Sequence, residues 1–122
     1  MTMKNCLPLA LFCLMMASGC VYNIEEELYP DSDCNLENIT YSNTVVPILR
    51  NSCYGCHDQQ NNTANVTLEG YDNLKKQVDS GRLLGTIKHE SGFSPMPQNA
   101  PQLQDCSIRK IEAWIDNGAP NN

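Results

Sequence analysis

Cys53-Tyr54-Gly55-Cys56-His57 constrains this chain more than any other stretch of it. It reads C-x-x-C-H, the spacing that attaches a c-type haem. Two thiols three positions apart can add across the two vinyl groups of one porphyrin and form two thioether bonds. The His directly after the second Cys then lies under the iron and can ligate it through an imidazole nitrogen. Cys53, Cys56 and His57 are thus the candidate cofactor-binding residues, with His57 as one axial ligand. Two other uses of a C-x-x-C pair compete. Half of a zinc site needs a second ligand pair at similar spacing, which the sequence lacks. A thioredoxin-like redox pair expects alternating strands and helices, and no such alternation is visible.

The seven cysteines can then be assigned one by one. Residues 1–19 have the make-up of a secretory leader. Lys4 gives a positive start, and residues 6–17 (CLPLALFCLMMA) form an apolar run too short to span a bilayer. Ala17-Ser18-Gly19-Cys20 resembles a bacterial lipobox, in which the leader is cleaved before a Cys that becomes lipid-modified. Ala17 stands where that box usually has Leu; an ordinary cleavable signal ending near Ala17 is the alternative. Cys6 and Cys13 leave with the leader, Cys20 carries lipid, and Cys53 and Cys56 carry haem. Cys34 and Cys106 remain. A leader implies an oxidising compartment, where a leftover pair usually forms a disulfide; the alternative is two separate buried thiols. The bridge would enclose 71 residues. Closing such a loop is worth on the order of 4 kcal/mol in the loop-entropy picture.

Methionine gives a sharper count. Of five, Met1, Met3, Met15 and Met16 lie in the leader, which leaves Met96. It sits in Ser94-Pro95-Met96-Pro97, where two prolines fix φ on either side of it. A lone Met is usually core filler, but filler lies on helix faces. The position resembles the loop that brings a thioether to the iron in small cytochromes c, which makes Met96 the expected sixth ligand. His89 competes as the other His beyond the leader. It falls at the end of a short helical stretch over residues 83–89 and reads as a surface residue. A vacant sixth position is the third possibility.

Removing residues 1–19 leaves 103 residues, one domain's worth. The leader takes Lys4 and no acidic residue, so 14 acidic groups face seven basic ones and the formal charge moves from −6 to −7. Nucleic acid and anionic lipid are poor partners for such a surface. A redox protein with a basic docking patch is compatible with it, as is a charge that serves only solubility. Residues 20–37 read as an acidic tether and residues 38–122 as the domain. Glu25-Glu26-Glu27 resembles an acidic surface-export signal of Bacteroidota lipoproteins, or is a solvated linker.

Helical periodicity begins near Thr40. Thr40 or Ser42 can cap, and Val45, Ile48 and Leu49 share one face. Pro47 requires that this helix be short or bent. Residues 58–67 (DQQNNTANVT) predict a surface loop, residues 71–78 a short helix ended near Gly81, and residues 83–89 another. The last helix spans residues 105–116, with Ile108, Ile111, Trp114 and Ile115 as its apolar stripe and Gly118 and Pro120 as its stop. No segment alternates as a strand does.

This order of parts resembles a class I monohaem cytochrome c, more narrowly the short lipoprotein cytochromes of Bacteroidota. The matching parts are a helix leading into C-x-x-C-H, a Met-Pro loop some forty residues later, and the closing Ala113-Trp114-Ile115-Asp116-Asn117-Gly118-Ala119-Pro120. The likeness covers roughly residues 38–120; the Cys34/Cys106 pair departs from it. It implies an all-α fold whose first and last helices cross beside one covalently attached haem. Val45, Ile48 and Leu49 should then meet Ile108, Ile111 and Ile115, with Trp114 near the porphyrin. It also implies a single-electron carrier with His57 and Met96 as axial ligands, without enzymatic activity or a small-molecule substrate. Cys20 would hold it in the cell envelope, on an outer membrane facing the periplasm or the cell surface. The alternatives are a haem c electron-entry subunit of a larger oxidoreductase and a gas sensor with an open sixth site.

Overall fold

The computed structural model describes residues 34–122. The leader, the lipidation candidate Cys20, the Glu25-Glu26-Glu27 run and the tether as far as Asp33 lie outside these residues. The described chain is all-α, with no strand. A π-helical turn, Tyr41–Val45, leads into α1 (Val46–Ser52), followed by α2 (Tyr54–His57), a 3-10 turn at Thr63–Asn65, α3 (Tyr71–Asp79), α4 (Arg82–Ile87) and α5 (Asp105–Asp116). No helix among these residues is long and apolar enough to cross a membrane.

The first turn follows from Thr40 and Pro47. Thr40 is extended, and its Oγ1 accepts from the Asn43 amide at 3.1 Å. Its carbonyl accepts from the amides of Thr44 and Val45, both at 3.1 Å. Pro47 has no N–H to give the turn before it, so a regular α register cannot run through. The chain widens instead, with the Val46 amide reaching back to the Tyr41 carbonyl, and Pro47 falls in the first turn of α1. The expected short or bent helix is therefore a π turn joined to two turns of α-helix. The amides of Tyr41 and Ser42, which no helix carbonyl can serve, donate to the Asn122 side chain and carbonyl, each at 2.9 Å.

The π turn packs against α5, and α4 does so as well. Val45, Leu49, Ile111 and Trp114 are 0 % exposed and Ile108 6 %, while Ile48 and Ile115 pack half-buried at the edge of this core. Leu74 of α3 and Leu83 and Ile87 of α4 complete it, with Leu68 in the stretch between α2 and α3. Burying each such side chain is worth about 1.5–3 kcal/mol. Tyr41 stacks on Trp114 at 5.9 Å and meets Tyr71 edge-on at 5.4 Å. The Tyr71 hydroxyl donates to the Ala119 carbonyl and Trp114 Nε1 to the Pro120 carbonyl, both at 2.9 Å. Trp114 is thus enclosed by these neighbours. The aromatic trio explains that enclosure: it closes the joint between the first turn, α3 and α5.

Cys34 and Cys106 form a disulfide, with Cα atoms 5.4 Å apart. It ties the first described residue to the opening turn of α5. Non-reducing peptide mapping should recover these two cysteines linked. Replacing both by serine should destabilise the fold by about 4 kcal/mol at most, the loop-entropy value, and leave the visible spectrum of a bound haem unchanged, because neither is a ligand. Two alkylated thiols without prior reduction would refute the bridge in solution.

Candidate functional site

Cys53 ends α1. Its amide closes the last turn on the Leu49 carbonyl at 2.7 Å, but its own φ of −128° leaves the helix. One new turn starts at once, because the Cys53 carbonyl accepts from the amides of Cys56 (3.1 Å) and His57 (3.0 Å). That turn places Cys53 and His57 four residues apart on one helical face. Cys53 packs against the core and is half-buried, whereas Cys56 is exposed. Both are free thiols.

His57 is oriented by the loop that follows. Its Nδ1 lies 3.0 Å from the Val66 carbonyl, and a carbonyl only accepts, so Nδ1 carries the proton. In the neutral ring Nε2 then holds the free lone pair, the arrangement a metal-ligating His requires. The Leu68 amide donates to the His57 carbonyl at 2.8 Å, so backbone and ring are clamped by the same returning strand of chain. Asp58 starts the loop as a local turn, its carboxylate accepting from the amides of Asn61 and Gln60. The Asn61 amide, first among these bonds, holds the Asp58 carboxyl below the usual carboxylate range.

Met96 is half-buried in the loop after α4. Its amide donates to the Thr86 carbonyl at 3.0 Å, and its carbonyl accepts from His89 Nε2 at 3.0 Å. The expected helix over 83–89 ends earlier: α4 stops at Ile87, Lys88 caps it, and His89 turns left-handed at φ 52°. Before Met96, the Phe93 ring lies on Gly85 of α4, where an added Cβ would come closer than 3.0 Å to the ring. The structure thus groups Cys53, Cys56 and His57 in one segment, joins Met96 to His89, and joins Cys34 to Cys106. No hydrogen bond among the described residues links the His57 and Met96 segments.

The donor set separates the competing uses of the thiols. No group of three or more His, Cys, Asp or Glu among the described residues could hold a metal ion, whereas a zinc site needs four protein ligands or nearly so. A porphyrin supplies four nitrogens of its own and asks the chain only for axial ligands. A thioredoxin-type pair needs a thiol whose pKa is depressed. Cys53 goes the other way: burial first, and then the Cys56 thiol, push it up to about 11. A hollow of about 400 Å³ lined by Asn35, Glu37, Asn43, Pro47 and Lys110 contains none of these residues.

That Cys53 shift has a measurable sign. The protonated thiol is favoured by the fold, so its contribution to stability is complete below the ordinary pKa of 9 and is lost as pH rises through about 11. In haem-free chain, iodoacetamide should label Cys56 first and Cys53 slowly near neutral pH, and alkaline unfolding should set in across that window. Equal, rapid labelling of both thiols near neutral pH would mean that the haem-free chain does not hold this fold.

No protein-family model matches the chain, and neither a curated protein nor a solved structure matches it significantly. What the site can do is therefore set by its own geometry. Two contributors were invisible in the sequence: the carbonyls of Val66 and Thr86, which orient His57 and Met96. Every residue carries a carbonyl, and no side-chain pattern marks the one that will be used.

Proposed function

We propose that this chain is a class I monohaem cytochrome c that carries single electrons. The observation that carries the reading is His57. It follows the free thiol of Cys53 by one helical turn and that of Cys56 directly, and its Nδ1 proton is committed to Val66, which leaves Nε2 for iron. The thiols of Cys53 and Cys56 would hold one haem through two thioether bonds, each S–H adding across one vinyl group. When bound, the haem supplies an iron that accepts and releases one electron. His57 and the Met96 thioether would be the residues that hold it. With both axial positions filled, no open site remains for substrate, and catalysis is not part of the proposal. Met96 stabilises the reduced state relative to a second His. The first turn packs against α5, which are the parts of the chain that this reading would bring together.

Cys20 carries the lipid in this reading and holds the domain in the cell envelope, on an outer membrane facing the periplasm or the cell surface. The Cys34–Cys106 bridge then fastens the end of the tether to α5. The acidic surface suits a redox partner with a basic patch, and neither nucleic acid nor a small-molecule substrate is proposed. The deciding experiment is a visible spectrum of purified protein, oxidised and reduced, before and after acid-acetone extraction. Haem that stays with the polypeptide and gives a low-spin spectrum is expected. Haem that extracts freely, or a protein that matures without haem, would overturn the proposal.

A further inference from the structure

We infer that His89 is a positioning residue for Met96: it holds the Pro95-Met96-Pro97 segment by its main chain and is not an iron ligand. The inference rests on the haem reading above. Prolines at 95 and 97 have no N–H, so the Met96 amide is the one backbone donor in that segment. It goes to the Thr86 carbonyl at 3.0 Å. The Met96 carbonyl goes to His89 Nε2 at 3.0 Å. Both polar groups of the Met96 main chain are thus bound to the end of α4, by a backbone carbonyl and by one side chain.

The place of His89 in the fold supports a purpose for it. α4 ends in a Schellman motif, with the Glu90 amide on the Gly85 carbonyl at 2.9 Å and the His89 amide on the Thr86 carbonyl at 3.3 Å. The residue between them must be left-handed, and Gly or Asn fills that position most easily. Here it is His, at φ 52°. Neither burial nor packing calls for an imidazole there, since His89 is exposed. The bond to Met96 does. The same bond takes Nε2 of His89 out of the ligand competition, because a carbonyl accepts only from a protonated nitrogen, and a protonated nitrogen has no lone pair for iron. A substitution at His89 is thus expected to act on Met96, not to pass unnoticed as on a surface residue.

Two variants of the haem-loaded protein separate position from general stability. His89→Asn keeps a residue that tolerates the left-handed turn but is too short to reach Met96. His89→Gln places an amide N–H at nearly the reach of Nε2. Loss of one such hydrogen bond should raise the population with Met96 released by about fivefold. The ferrous His89→Asn protein should therefore bind carbon monoxide about fivefold faster. The ferric protein should show a weakened sulfur-to-iron charge-transfer band, and the Met96 amide should exchange its hydrogen faster. His89→Gln should restore most of each signal. If wild type shows the sulfur band and His89→Asn matches it in band, carbon monoxide binding and amide exchange, the inference fails while the haem reading stands. If wild type carries covalent haem without the sulfur band and His89→Asn destroys its low-spin spectrum, His89 is a ligand and the inference is overturned. A wild type without covalent haem sinks both.

Discussion

Replacing Cys53 and Cys56 together by alanine is expected to take covalent haem retention from complete to none. Wild-type protein should keep its haem through acid-acetone extraction and the double variant should lose it. The two thiols differ in surroundings, which lets packing be separated from bonding. Cys53 packs against the core beside Leu49, so its truncation removes some contact as well as a sulfur. Cys56 is exposed, and Cys56→Ala removes almost nothing but the thiol. That single variant should leave one thioether in place and so shift the reduced haem absorption, with a stability loss of about 0.5 kcal/mol or less, as at other exposed positions. A double variant that still retains haem after extraction would show that the attachment is not through these thiols.

Met96→Ala is expected to have the next largest effect, and the structure makes it a clean substitution. The segment is held by the Met96 main chain, through Thr86 and His89, and alanine keeps both bonds. What disappears is the sulfur. The oxidised protein should lose its far-red sulfur-to-iron band, and the ferrous protein should take up carbon monoxide. The potential should drop by on the order of 0.1 V, a fraction of the roughly 0.8 V that axial ligands command. Met96→His should keep a low-spin iron at a lowered potential. A Met96→Ala protein with an unaltered spectrum would place the sixth ligand elsewhere. A wild-type ferrous protein that already binds carbon monoxide readily would favour the sensor reading over the electron carrier.

Much of the helical framework could be read along the chain. The apolar stripe of α5 and its stop at Gly118 stand where periodicity puts them, and Asp105–Asp116 agrees with the expected bounds. Thr40, one of two possible caps, is the one used, and Ser42 lies inside the turn that Thr40 opens. The Cys34–Cys106 pair followed from subtraction. The remainder depended on groups that sequence does not distinguish. Pro47 announced a bend but not that a π turn would absorb it. The 58–67 loop read as mere surface, yet the Val66 carbonyl within it sets the tautomer of His57. His89 read as surface too, and it is exposed, but its nitrogen holds the Met96 main chain. Trp114 stands in the core as its place in the apolar stripe suggests, and the sequence did not show that Tyr41 and the Pro120 carbonyl occupy its face and its N–H. In each case the deciding partner is a backbone group, or a residue distant in sequence.

The two bonds from Asn122 to the first turn span a sequence separation of about eighty residues. Thr40 caps from its own side whenever the chain is present, but the amides of Tyr41 and Ser42 have no protein partner until residue 122 arrives. The helix that delivers the C-x-x-C-H segment is thus a product of the whole domain and not of its own residues. Too short to persist alone, it gains its last cap and the stacking of Tyr41 on Trp114 only together with α5. The two thiols are spaced by their own local turn, but their place against the core depends on residues at the far end of the domain.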